Sequence, residues 1–175
     1  MFASVSEAYR THGGLCPGFW ALVVHDFGQW RYTVRPRLLR APFFVLYRVA
    51  FTVVQVCTGI ELPCEVVLGR RFKIEHHSGI IVNGTARFGD DCVIRNGVTV
   101  GVRHTNVPGS PTIGDRVDIG AGAVLLGPIQ VGDDVAIGAN AVVIADVPAQ
   151  SIAVGVPARV VPRRAAAVAP QRISA

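Results

Sequence analysis

The sequence predicts a mainly β protein, a parallel β-helix of hexapeptide repeats with a short N-terminal α-helical region, and three observations predict it. From Ile113 to Pro148 the chain runs in uninterrupted blocks of six: IGDRVD, IGAGAV, LLGPIQ, VGDDVA, IGANAV, VIADVP. An aliphatic residue heads each block (Ile113, Ile119, Leu125, Val131, Ile137, Val143), and a small or branched apolar residue stands four places on (Val117, Ala123, Ile129, Val135, Ala141, Val147). A period of six fits neither the 3.6 of a helix nor the alternation of a simple strand. Each block is therefore one face of a prism, and three blocks make one coil. Second, glycine follows four of the six heads, at Gly114, Gly120, Gly132 and Gly138, where a Cβ would hinder a tight corner. Third, eleven of the thirteen aromatic residues precede residue 60, which marks off a differently built region before the repeats.

Residues 1–60 form that N-terminal region. Residues 1–15 are weakly patterned, and Gly13-Gly14 breaks any early helix. From Pro17, PGFWALVVHDFGQWRY reads as an amphipathic helix, since a proline in the first turn gives up no N–H that the helix would use. RPRLLRAP is a basic connection to a second helix, about Pro42 to Val56, apolar almost all round. The apolar run from Ala41 to Ile60 approaches membrane-spanning length but contains Arg48, Thr52 and Gln55. A charge at a bilayer centre costs at least about 2.5 to 3.5 kcal/mol on insertion scales. A buried helix packed on its neighbour or on another subunit is expected. Peripheral contact with the inner face of a membrane, through Arg35, Arg37, Arg40 and nearby aromatics, is the alternative.

The repeat region is assigned to 61–148. Leu62, Leu68 and Ile74 head its first blocks; after two extra residues following IEHHSG, Val82, Phe88, Ile94 and Val100 head the next. The step from Val100 to Ile113 is thirteen residues, seven more than one block, so a loop is extruded near 102–112. Loops on rigid scaffolds often carry function. Residues 149–175 form a C-terminal extension: Gly155 to Arg159 is expected to lie extended along the prism, and PRRAAAVAPQRISA to fray.

The net charge of +5 would suit an anionic surface or a phosphorylated cofactor, but no interleaved basic and aromatic surface marks the repeats, which argues against nucleic acid. Cys16, Cys57, Cys64 and Cys92 show no paired spacing, and the start carries no leader pattern. A reduced, cytoplasmic protein is expected.

Chemistry concentrates in IEHHSG. Ile74 and Ser78 take the inward positions, leaving Glu75, His76 and His77 near a corner. Imidazole titrates near pKa 6.5, and a carboxylate can orient it and stabilise its cation. Glu61 lies fifteen residues before His76, nearly one layer below in a coil of about eighteen, so it can reach one ring nitrogen and leave the other for a hydroxyl. A solvated corner is the plain alternative. A metal is not expected, because His104 is the only other histidine of the repeat and lies in the loop, while His12 and His25 are in the helical part.

GIELPCEVVLGRRFKIEHHSGIIV and IGDRVDIGAGAVLLGPIQVGDDVAIGANAVVIADVPAQSIAVGVPARVV together resemble the serine O-acetyltransferases, left-handed parallel β-helix enzymes, over about residues 59–161, and within them the short branch found with exopolysaccharide synthesis. The left hand would be an exception to the usual crossover rule. The resemblance implies acetyl transfer from acetyl-CoA, as co-substrate, to a hydroxyl. The family's catalytic histidine falls on His76, the residues around it on Glu75 and His77, and its histidine-orienting aspartate on Glu61. The Arg-His pair that helps hold serine in the family is replaced by Gly109 and Ser110, with Arg103 and His104 nearby as substitutes for acceptor binding. The family's donor positions fall on Gly101, Gly120, Ala121, Gly138 and Ala139, with Arg159 toward the phosphates. Such a donor groove needs two prisms, so a homotrimer or a dimer of trimers is expected. L-serine is the first acceptor implied and a sugar hydroxyl of a polysaccharide precursor the second. A non-catalytic assembly scaffold is the reading of another class; docking of a partner enzyme in the family uses a C-terminal Ile, whereas this chain ends Arg-Ile-Ser-Ala.

Overall fold

The computed structural model of the chain describes residues 2–35, 39–104, 106 and 108–163. Arg37, two loop residues (Thr105 and Val107) and the tail from residue 164 lie outside the described residues. Three helices come first: α1 (Phe2–His12), α2 (Pro17–Trp30), prolonged by a 3-10 turn at Arg31–Thr33, and α3 (Arg40–Thr58). Strands follow in the order β1 (Ile60–Glu61), β2 (Lys73–Glu75), β3 (Ile80–Val82), β4 (Arg87–Phe88), β5 (Val93–Arg95), β6 (Thr99–Gly101), β7 (Thr112–Ile113), β8 (Asp118–Ile119), β9 (Val124–Leu126), β10 (Gln130–Val131), β11 (Ala136–Ile137), β12 (Val142–Val143), β13 (Ser151–Val154) and β14 (Arg159–Pro162).

They stack into three faces of a prism. The first face is β1-β3-β6-β9-β12, the second β4-β7-β10, and the third β2-β5-β8-β11-β13 with β14 antiparallel at its edge. Every pairing except that of β14 is parallel, as successive coils demand. Ile119 lies under Ile137, eighteen residues on, which is the coil expected from three blocks of six. Ile94 pairs with Ile119 across twenty-five residues, so the loop adds seven. The block heads and the residues four places on fill the interior, and Val66, Val98, Val117 and Val135 are wholly buried there. The third face continues through β13, beyond the boundary expected at 148, because Ile152 and Ala153 still pair with Ala136 and Ile137.

The glycines after the block heads are needed for a reason other than backbone torsion. A Cβ on Gly120 would stand 2.6 Å from the Ala139 nitrogen of the next coil, so the absent side chain lets the coils close on each other. The left-handed torsions sit two residues later, at Arg116, Gly122, Asp134 and Asn140.

Two expectations for the N-terminal region are corrected. Residues 1–15 hold helix α1, which Gly13 and Gly14, both at positive φ, bring to an end. The second correction concerns α3: it packs on its neighbour α2 as expected, Phe43 against Phe27 and Trp30, but only Tyr47 on it is buried, and Val45, Leu46, Val49, Val53 and Val56 point outward, Val56 with 78% of its surface exposed. The reason is that α2, with Phe19, Ala21 and Leu22, already closes the open end of the prism against Phe72 and Ile74. The helices also satisfy the polar edge of the lowest coil, which otherwise has no strand beneath it. His12 accepts from the Ile74 N–H (3.1 Å), Glu7 from the Arg71 N–H (2.8 Å) and the Tyr47 hydroxyl from the Cys64 N–H (3.0 Å), while His25 and Gln29 bond the Val66 carbonyl (3.0 and 3.3 Å).

Candidate active site

The third face ends, coil after coil, at one corner. Its register stacks Glu75, Arg95, Gly120, Gly138 and Val154 along a single edge. One residue further on stand Asn96, Ala121 and Ala139; the Gly122 N–H donates to Asn96 O and the Asn140 N–H to Ala121 O. In the lowest coil the corresponding bond runs from the Gly97 N–H to Ser78 O. Ser78 thus lies below Asn96, although Glu75 is level with Arg95. His76 and His77 are the surplus pair, and they bulge from the corner.

That corrects two expectations. The two-residue insertion falls at the histidines rather than after Gly79, and Ser78 is exposed rather than inward, because Ile80 fills the interior. His76 (φ 56°), Ser78 (97°) and Gly79 (66°) all lie in the left-handed region, a costly conformation for the first two that turns the bulge outward and leaves both imidazoles in solvent.

Glu61 approaches the same corner from below. Gly59 fits directly under the bulge, where a Cβ would stand 3.0 Å from Gly79 N and 3.1 Å from the Ser78 Cα, and its carbonyl accepts from the Ile80 N–H at 3.1 Å. Glu61 and His76 each lie two residues from this contact, roughly 7 Å of chain at most, within reach of two long side chains. Among the described residues no hydrogen bond joins them; the Glu61 Oε2 accepts instead from Gln55 Nε2 at 3.0 Å.

Glu75 is engaged elsewhere. Its carboxylate meets Lys73 Nζ at 2.7 Å and Arg95 Nη2 at 3.1 Å, and Arg95 continues to Asp118. The Lys73 hydrogen bond first, then the charges of Lys73 and Arg95, hold its pKa below the ordinary carboxylate value, so it is a fixed negative charge beside His76 and a poor proton carrier.

The other expected residues divide between two edges. Gly120, Ala121, Gly138 and Ala139 share the histidine edge, and Arg159, paired with Val154, lies at its upper end. From Glu75 to Val154 is four strand spacings, roughly 19 Å. Gly101 lies across the first face, at the end of β6, where the loop departs. Arg103 and His104 are exposed on that loop, Arg103 over Gly127, so within one chain they do not meet His76. Ser110 is buried and shares hydrogen bonds with the Thr85 hydroxyl (2.8 Å) and Asn83 Oδ1 (3.0 Å), which anchors the returning loop. Gln55 was not anticipated. Its signal was a polar residue in the last turn of an apolar helix, six before Glu61.

Residues 110–145 match the family of bacterial transferase hexapeptides (six repeats). The chain is 40% identical over 152 residues to a serine acetyltransferase of Mycobacterium tuberculosis (strain ATCC 25618 / H37Rv), covering 83% of this chain and 61% of that protein. It is 38% identical over 139 residues to an Escherichia coli (strain K12) protein named for an acetyltransferase of colanic acid biosynthesis, WcaB, covering 79% of this chain and 84% of that one. The solved structure of the serine acetyltransferase of Brucella abortus strain S19 in complex with coenzyme A matches with a TM-score of 0.74 at 31% identity, over 85% of this chain and 57% of that one. The chain spans only about three fifths (61% and 62%) of the length of the first two serine acetyltransferases it matches.

Proposed function

The chain belongs to the hexapeptide-repeat acetyltransferases that take in the serine acetyltransferases, with their left-handed parallel β-helix, and on that premise we propose that it moves an acetyl group from acetyl-CoA to an acceptor hydroxyl. One observation carries the reading: the histidine bulge shares an edge with the Gly120-Ala121 and Gly138-Ala139 corners. An acetyl-CoA laid along that edge, its phosphates toward Arg159, brings its thioester down to His76. The imidazole takes the hydroxyl proton as the oxygen attacks the thioester carbonyl, and the tetrahedral intermediate expels the CoA thiolate. The imidazolium then returns the proton to sulfur. Glu61 stabilises that cation, and backbone N–H groups of the corner or of a neighbouring copy stabilise the oxyanion.

L-serine is the acceptor proposed first. The serine acetyltransferases among its relatives support that order. The loop residues Arg103 and His104 belong to the opposite edge, so their part in acceptor binding requires the loop of a second copy, and this supports a homotrimer. A sugar hydroxyl is the second reading, favoured by Ser110, which is buried under the loop and offers no cation for a carboxylate. Trimers would pair through α3. Its outward residues Pro42, Leu46, Val49, Val53 and Val56 follow the 4-3-4-3 spacing of a helix-pairing seam, and the flanking Val45, Ala50, Thr52 and Cys57 carry no charge.

The deciding experiment is thiol release from acetyl-CoA with L-serine, sugars and nucleotide sugars offered in turn. His76→Ala is expected to lose about 10²- to 10⁴-fold in rate with acetyl-CoA affinity near normal. Full activity in that variant would remove His76 from the mechanism.

A further inference from the structure

We infer that Gln55 is a positioning residue for the carboxylate of Glu61, an inference that rests on the acetyl-transfer reading above. The junction between α3 and β1 is tied by local bonds. The Gly59 N–H closes the helix on the Gln55 carbonyl at 2.9 Å, with Gly59 at φ 68°. The Thr58 hydroxyl donates to Val54 O at 2.6 Å and accepts from the Ile60 N–H at 3.2 Å. The same Gly59 lies under Ser78 and Gly79, so the end of α3, the start of β1 and the histidine bulge form one locked unit.

Out of this unit the Gln55 amide reaches across the helix end to Glu61. An ionised carboxylate only accepts, so the amide NH₂ must be the group that faces it, at 3.0 Å from Oε2. Both side chains are half-buried, and among the described residues no other donor meets Glu61. One oxygen is thereby fixed and Oε1 is left for the imidazole. Without Gln55 the carboxylate regains rotamers that point away from the bulge, and a misplacement of about 1 Å near reacting groups can cost as much as 10²-fold in rate.

The test uses Gln55→Leu, Gln55→Glu and Glu61→Gln in the full chain, with steady-state rates and NMR titration of the His76 ring in the resting protein, its signal assigned by its loss in His76→Ala. Gln55→Leu is expected to lower kcat roughly 10-fold while KM for acetyl-CoA stays within about twofold, and to cost nothing further on a Glu61→Gln background. Gln55→Glu sets a second carboxylate beside the first and favours the imidazolium, so the ring titration and the acid limb of the rate profile both move to higher pH. Losses that add on the Glu61→Gln background, or a His76 titration that Gln55→Glu leaves in place, would overturn the inference. If the wild-type protein releases no thiol with any acceptor offered, the proposed activity fails, and the ring titration still decides the role of Gln55.

Discussion

His12 donates from Nδ1 to Ala8 O at 2.9 Å and accepts at Nε2 from the Ile74 N–H at 3.1 Å, a pair of roles open only to the neutral ring. Burial, with Lys73 as a smaller cause, holds its pKa below 6.5 against the opposing pull of the Ala8 carbonyl. Between that lowered value and about 6.5 the unfolded chain binds more protons than the folded one, so stability rises with pH there. The contribution of His12 is complete above about pH 6.5 and is lost as pH falls through the folded value. Thermal unfolding of the wild-type protein should therefore weaken from about pH 7.5 to 5.5, and His12→Gln, which keeps an acceptor but does not titrate, should show a shallower decline. Equal declines would assign the effect to other groups. Sequence alone gave His12 no such task, because its partner is the main chain of a strand sixty-two residues away.

At the scale of the element, the coil is held by contacts that repeat every layer. Asp90 Oδ1 accepts from the Arg70 N–H (2.7 Å), Asp115 Oδ1 from the Asp90 N–H (2.8 Å) and Asp133 Oδ1 from the Asp115 N–H (2.8 Å), a ladder of carboxylates that seals the corner between the second and third faces. Beside it Arg71 grips Asp91 (2.5 and 2.6 Å) and Arg116 grips Asp134 (2.7 and 2.8 Å). These pairs are solvent-exposed and screened by water, so the burial of the block heads does most of the stabilising. The glycines that let the coils approach are less replaceable. Gly120→Ala should lose roughly 1 to 3 kcal/mol in urea unfolding, because its Cβ meets the backbone nitrogen of Ala139, which cannot move without parting two coils. A loss below about 0.5 kcal/mol would mean that the corner has slack. The hexad period was legible because heads and glycines recur in sequence; the reason for the glycines was not, since the atom each would strike belongs to the next coil.

For the whole molecule, the single chain leaves its expected site divided between two prism edges and one apolar helix face uncovered. The paired trimers proposed above would account for both. Sedimentation analysis should find trimers or pairs of trimers, and an active monomer would sink the two-copy site. Val49→Asp with Val53→Asp should release trimers from their pairs without loss of the trimer. An unchanged assembly that instead binds anionic vesicles through α3 would reassign that face to a membrane surface.

The sequence by itself determined the prism, its eighteen-residue coil and the extruded loop, because a period of six in apolar residues leaves few ways to bury them, and it singled out the histidine pair proposed for the chemistry. Only the tertiary structure decided that His76 and His77 are the inserted residues, that Glu75 is ion-paired with Lys73 and Arg95, that Gln55 holds Glu61, and that α3 faces outward while α2 caps the prism. Each of these depends on which groups meet across layers. That is set by inter-coil register and by competition for the one open end of the prism, neither of which a local pattern of residue types records.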